Sequence, residues 1–205
     1  ERGYLLVDNL LDPERDLDPI IDEYSDILDG IVVDLFGKGE IKSLYSDLPF
    51  AQRLTRIQHE SSKTFTQHFE IALPKRNVKL DTPVSVGGAV FGLIRNERLL
   101  DVVESLIGSE IYANPIQHVR MKQPLHLNPK AKGRLRWHQD NAFMMPDADN
   151  TEVVTLWIPL LDATVQNGCL KVVPYSHRSG LLDHCATGVH IPEHMVASDT
   201  AVPIP

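Results

Sequence analysis

Leu17, Ile20, Ile21, Tyr24, Ile27 and Leu28 recur at intervals of three and four, the spacing of one face of an α-helix. Asp12-Pro13-Glu14 marks its start, because proline fits the first helical turn and an acid complements the helix's positive end. A second stripe of Leu54, Ile57, Phe65, Phe69 and Leu73 predicts a helix from about Ala51 to Leu73. A third, with Leu99, Leu100, Val103 and Leu106 inward, runs from about Asn96 to Ile107, where Gly108 stops it. All three read as packing elements, and His59 and His68 on them as structural. From Ile111 the texture changes to short β-rich runs at 111–122, 135–140, 152–161 and 169–173, separated by Pro, Gly and Asn. Their spacing predicts an antiparallel barrel or sandwich rather than βαβ units. The expected fold class is mainly β with flanking helices, a β core preceded by an α-helical N-terminal region, in one domain over 1–205. The glycine-rich run Val86-Gly87-Gly88-Ala89-Val90-Phe91-Gly92 lacks dinucleotide-binding spacing and reads as a flexible loop.

Composition narrows the class of partner. Twenty Lys plus Arg against 28 Asp plus Glu give a net charge of −8, which argues against nucleic acid or an anionic membrane. No apolar run approaches the ~18 residues of a membrane span, and no signal-peptide pattern opens the chain. Two cysteines, Cys169 and Cys185, are too few for a disulfide scaffold and suit a reducing cytoplasm. Cys169 lies in an apolar run and reads as a small buried hydrophobe. The chain opens at Glu1 and stops at Ala201-Val202-Pro203-Ile204-Pro205, which reads as a fragment or a partly ordered chain.

Candidate chemistry centres on Arg136-Trp137-His138-Gln139-Asp140-Asn141. Side chains alternate along an extended strand, so His138 and Asp140 point to the same side and Gln139 to the other. Imidazole nitrogen and carboxylate oxygen without thiolates suit Fe(II) rather than structural zinc, and with one further His make the facial triad that leaves positions open for co-substrate and O2. Gln139, Asn141 and Phe143 surround the pair as candidates for the substrate side. Lys130, Lys132, Arg134 and Arg136 form a basic stretch just before it, read mainly as a solvated loop that could also steer an anionic substrate. H-E-x-x-H, C-x-x-C pairs, a nucleophile elbow and a P-loop are absent.

Three segments in order, Trp137-His138-Gln139-Asp140, Thr155-Leu156-Trp157-Ile158-Pro159-Leu160, and Asn167-Gly168-Cys169-Leu170 with Pro174-Tyr175-Ser176-His177-Arg178, resemble the phytanoyl-CoA dioxygenase family of iron(II)- and 2-oxoglutarate-dependent oxygenases. The close match covers roughly 118–180, with looser agreement at Gly3-Tyr4-Leu5-Leu6-Val7-Asp8-Asn9-Leu10-Leu11. The resemblance implies a double-stranded β-helix (jelly-roll, cupin-like) core, with Fe(II), 2-oxoglutarate and O2 as cofactors and co-substrates. It implies His138 and Asp140 as metal ligands, and a third ligand that is a His on a later strand, followed by an Arg for the co-substrate. His177, His184, His190 and His194 follow Asp140 but sit in no such strand, so the third ligand is expected beyond Pro205. Lys122, Trp157 and His118 match positions that contact or line the 2-oxoglutarate site; a cation at Lys122 suits a dianion. Asp140 argues for oxygenation, since related halogenating enzymes carry a small residue there.

The leading expectation is therefore a hydroxylase of a small organic metabolite or an acyl-CoA, releasing succinate and CO2. The competing readings are a cupin-like binding module without turnover, and the same fold with another divalent metal. Residues 74–95 and 178–205 are expected to set the substrate. Residues 178–205, poor in periodic apolar positions, read as a loop without secondary structure that closes over the pocket.

Overall fold

A computed structural model describes residues 1–74, 76–114, 117–122, 136–144, 151–185 and 190–204. It divides the chain into two compact units, Asn9–Lys130 and Glu1–Asp8 with Ala131–Pro205.

The first unit is helical. Asp12 caps a wide turn, Pro13–Leu17, by accepting the Arg15 backbone N–H at 3.1 Å. Helix α1, Asp18–Gly37, follows and buries Ile20, Tyr24, Leu28, Val32 and Leu35. It outruns the predicted stripe by more than two turns because the four-residue apolar repeat continues through Val32. Gly39 then takes φ +69°, its N–H bonding Phe36 and that of Glu40 bonding Leu35, the Schellman arrangement that only a residue at ease with positive φ ends cleanly. Asp16 ties this start to a later helix. Its carboxylate accepts from Arg15, from the Asp12 N–H, and from Asn96 at 3.1 Å, and Arg98 lies 3.4 Å away. The Arg15 hydrogen bond is the main reason its pKa is lowered.

The predicted helix over 51–73 is two. Helix α2, Phe50–Ser61, ends where Ser62 turns left-handed at φ 55°, and α3, Thr66–Phe69, is a separate turn. Serine is the physical reason: Ser61 Oγ donates to the Ile57 carbonyl at 2.7 Å and accepts from the Lys63 N–H, so local bonds replace the helical ladder. The break rotates Phe65 and Phe69 inward, whereas Leu73 is 56% exposed. Phe69 meets Tyr24 edge-on at 5.3 Å and Phe50 at 5.8 Å, forming an aromatic core. Burial pushes the Tyr24 phenol up to about 12. Arg53 is buried too, with its guanidinium on Asp29 at 2.5 Å and on the Leu44 carbonyl at 3.0 Å.

The glycine-rich run is a helix rather than a loop. Helix α4, Gly88–Ile94, has its Ala89 N–H capped by Glu23 of α1 at 2.9 Å, a contact that needs the bare backbone of Gly87 beside the carboxylate. Helix α5, Glu97–Ile107, follows the prediction: Asn96 caps it, Leu99 and Val103 are buried, and Gly108 at φ +87° ends it, although Leu106 faces out. No described helix is long and apolar enough to cross a membrane.

The mainly β, jelly-roll expectation is overturned. The described residues hold five α-helices and one sheet of two three-residue strands, β1, Leu170–Val172, and β2, Val202–Ile204, antiparallel with Leu170 opposite Ile204. Of the predicted strands, 152–161 and the described parts of 111–122 and 135–140 form no ladder. The runs were read from residue preference, which reports fitness for a pleated surface. A strand also needs a neighbour to take its backbone N–H and C=O groups, and preference says nothing of that neighbour. Residues 178–205 are not structureless either, since helical turns at Ser176–Ser179, Glu193–Met195 and Ser198–Thr200 and strand β2 occupy part of them.

Candidate metal-ligand pair

His138 and Asp140 lie in the second unit on a segment that is extended through Gln139 (φ −111°, ψ 132°) and then turns into a short helical turn, Asp140–Phe143. One extended residue between them puts both side chains on one side, as the spacing predicts. His138 Nε2 and Asp140 Oδ1 are 3.3 Å apart. Two donors bonded to one first-row metal at about 2.1 Å and set at right angles lie about 3 Å apart, so the pair is close to ligand spacing.

Each donor is also held from behind. His138 Nδ1 sits 2.8 Å from the Arg136 carbonyl, which fixes the proton on Nδ1 and leaves Nε2 with the lone pair a metal needs. The Phe143 ring stands perpendicular to the imidazole at 5.7 Å and restricts its rotation. Thr155 Oγ1 donates to Asp140 Oδ2 at 2.5 Å, leaving Oδ1 as the oxygen nearer His138. Sequence reading assigned Thr155 no role of its own, although it lies two residues before Trp157.

Gln139 faces the other way, as predicted. Its amide donates to the Gly180 carbonyl at 2.8 Å and accepts from the Leu182 N–H at 2.8 Å. His184 is engaged in the same clasp. Its Nδ1 bonds the Leu182 carbonyl at 2.6 Å and its Nε2 accepts from the Gln139 N–H at 3.3 Å. Asn141 Oδ1 is buried with no hydrogen-bond partner among the described residues. Phe143 packs on His138 yet stays 44% exposed, and Trp157 is 38% exposed.

His118 and Lys122 belong to the Asn9–Lys130 unit, where His118 Nδ1 is 3.2 Å from the buried carboxylate of Glu70, which also accepts the Val119 N–H. Glu70 was not anticipated; an acid directly after core Phe69 was its only mark. His177 packs its ring against Gly3, the close approach a residue with a Cβ would block. Arg178 bonds the Glu1 carbonyl, and Tyr175, at φ 67°, bonds that of Arg2, so this turn anchors the first residues of the chain. Lys130, Lys132 and Arg134 fall outside the described residues. Among the described residues no three His, Cys, Asp or Glu side chains group as a metal site.

The phytanoyl-CoA dioxygenase (PhyH) family profile matches residues 1–205, and the chain belongs to that family. It is similar to a phytanoyl-CoA dioxygenase of Arabidopsis thaliana, 37% identical over 78 residues, covering 38% of this chain and 26% of that protein. Phytanoyl-CoA dioxygenase 1 of Oryza sativa subsp. japonica is 38% identical over 79 residues, covering 38% and 27%. A probable alpha-ketoglutarate-dependent hypophosphite dioxygenase of Stutzerimonas stutzeri is 26% identical over 106 residues, covering 52% and 34%. The matched segments thus span between a quarter and about a third of these relatives' lengths. No solved structure gives a significant match.

Proposed function

We propose that this protein is a non-haem Fe(II)- and 2-oxoglutarate-dependent oxygenase that hydroxylates a small organic molecule, with succinate and CO2 as co-products. The carrying observation is the His138 Nε2–Asp140 Oδ1 approach of 3.3 Å, each donor oriented from behind, in a chain of the PhyH family. The donor set fits iron: a neutral imidazole and a carboxylate oxygen present two adjacent corners of a facial triad. The third corner is unassigned: His177 packs on Gly3, His184 accepts from the Gln139 N–H, and among the described residues no third His, Cys, Asp or Glu groups with the pair. Bound iron would supply the O2 activation that hydroxylation of an unactivated C–H bond requires.

This chain's own residues do the rest. Arg136 and Thr155 hold the two donors in place, so that little reorganisation accompanies metal binding. By the family resemblance Lys122 is a candidate cation for the 2-oxoglutarate dianion, and Trp157 and His118 are each candidate contacts for that co-substrate. Asn141 Oδ1, buried and without a partner among the described residues, is a candidate acceptor for a donor group on the substrate, and Phe143 a candidate apolar contact for it. Gln139 serves the scaffold instead, through its bonds to Gly180 and Leu182. A small polar metabolite is the preferred substrate and cytoplasm the preferred location, the latter in line with two unpaired thiols.

Succinate release and O2 uptake, measured with Fe(II), 2-oxoglutarate and a panel of candidate substrates, test the assignment. His138→Ala and Asp140→Ala should each abolish succinate formation. Full activity in both variants would refute it, and metal binding without succinate formation for any substrate would favour a binding module.

A further inference from the structure

Resting on the iron-site reading above, we infer that Thr155 is the positioning residue that makes Asp140 a one-oxygen ligand. A carboxylate can rotate and offer either or both oxygens to a metal, and a two-oxygen mode takes up a coordination position that co-substrate and O2 need. Asp140 begins a helical turn and is 48% exposed, so packing alone does not fix its rotation. The Thr155 hydroxyl restrains it. It donates to Oδ2 at 2.5 Å, a charge-assisted bond at the short end of the O–H···O⁻ range, and that oxygen is thereby turned away from service as a second ligand. Oδ1 remains the oxygen 3.3 Å from His138 Nε2. Thr155 reaches Asp140 across fifteen residues of sequence and lies two residues before Trp157, the proposed co-substrate contact.

The roles of the threonine methyl and hydroxyl separate cleanly by substitution. Thr155→Val keeps shape and removes the donor, whereas Thr155→Ser keeps the donor. The measurement is anaerobic calorimetric titration of the full-length protein with Fe(II) and with Co(II), together with the Co(II) absorption spectrum, which reports coordination number without turnover. Thr155→Val should bind both metals about 10- to 100-fold more weakly, the usual effect of losing a hydrogen bond to a ligand, and should change the Co(II) spectrum. Thr155→Ser should match the unmodified protein. Should the valine variant fail to fold by circular dichroism, Thr155→Ala replaces it with the same expectation. Unchanged affinity and spectrum in the donor-free variant, alongside lost binding in Asp140→Ala, would overturn the role of Thr155 and leave the iron site standing. So would a serine variant as weak as the valine one. Wild-type-like binding in Asp140→Ala would remove the iron site first, and Thr155 with it.

Discussion

Phe69→Ala and Leu73→Ala should differ sharply in cost, although both residues sit on the same predicted helical stripe. Phe69 is completely buried, with ring contacts to Tyr24 at 5.3 Å and Phe50 at 5.8 Å. Truncating a buried phenylalanine costs about 3–5 kcal/mol in transfer and cavity terms. An edge-on aromatic pair contributes about 0.5–1.5 kcal/mol beyond area, so the upper half of that range is expected here. Leu73 is 56% exposed, and surface truncations of this kind stay within about 0.5 kcal/mol. Urea unfolding followed by far-ultraviolet circular dichroism reports both variants, since this unit is helical. A typical domain is stable by about 5–15 kcal/mol, so Phe69→Ala should shift the midpoint strongly and could unfold a marginal one. Comparable costs for the two variants would refute the break at Ser62 and restore a single continuous helix.

Two pH effects follow from the same unit. His68 faces a recess lined by Ile27, Leu35 and Phe65, and burial lowers its pKa from 6.5, so the unfolded chain binds the proton more readily. Stability should therefore fall as pH drops below 6.5, and His68→Gln should flatten that fall in urea midpoints measured between pH 5 and 7.5; an equally steep fall in the variant would exclude His68 as its source. Tyr24, pushed up to about 12 from 10, favours the folded state until the unfolded chain begins to ionise, so its contribution declines as pH rises above 10. Absorbance at the phenolate band should show one of the five tyrosines titrating last, and Tyr24→Phe should remove that late step; its persistence would assign the step elsewhere.

Helix α5 shows what local signals can carry: Asn96 before it, Gly108 after it and an apolar repeat between them. The shared side of His138 and Asp140 was legible for a similar reason, because two-residue spacing on extended backbone fixes it whatever surrounds the pair. Local signals failed wherever a distant partner decided. Glu23 caps a helix in a glycine-rich run from 66 residues away. At Ser61 the deciding bonds are local but made by a side chain, which the apolar stripe leaves unaddressed. The β-rich runs erred most, since a ladder is a property of two segments and each was read alone. Thr155 was invisible for that reason too: its partner is a side chain fifteen positions earlier.

The residue between the two proposed ligands has a mechanical role. Gln139 grips the chain at Gly180 as donor and at Leu182 as acceptor, a pair of bonds that an amide can make and a carboxylate cannot. Any displacement of that downstream segment therefore pulls on the one residue whose backbone connects His138 to Asp140. The separation of the two donor atoms is thus geared to a stretch of chain forty residues away, and tension there would be felt first as a change in their bite.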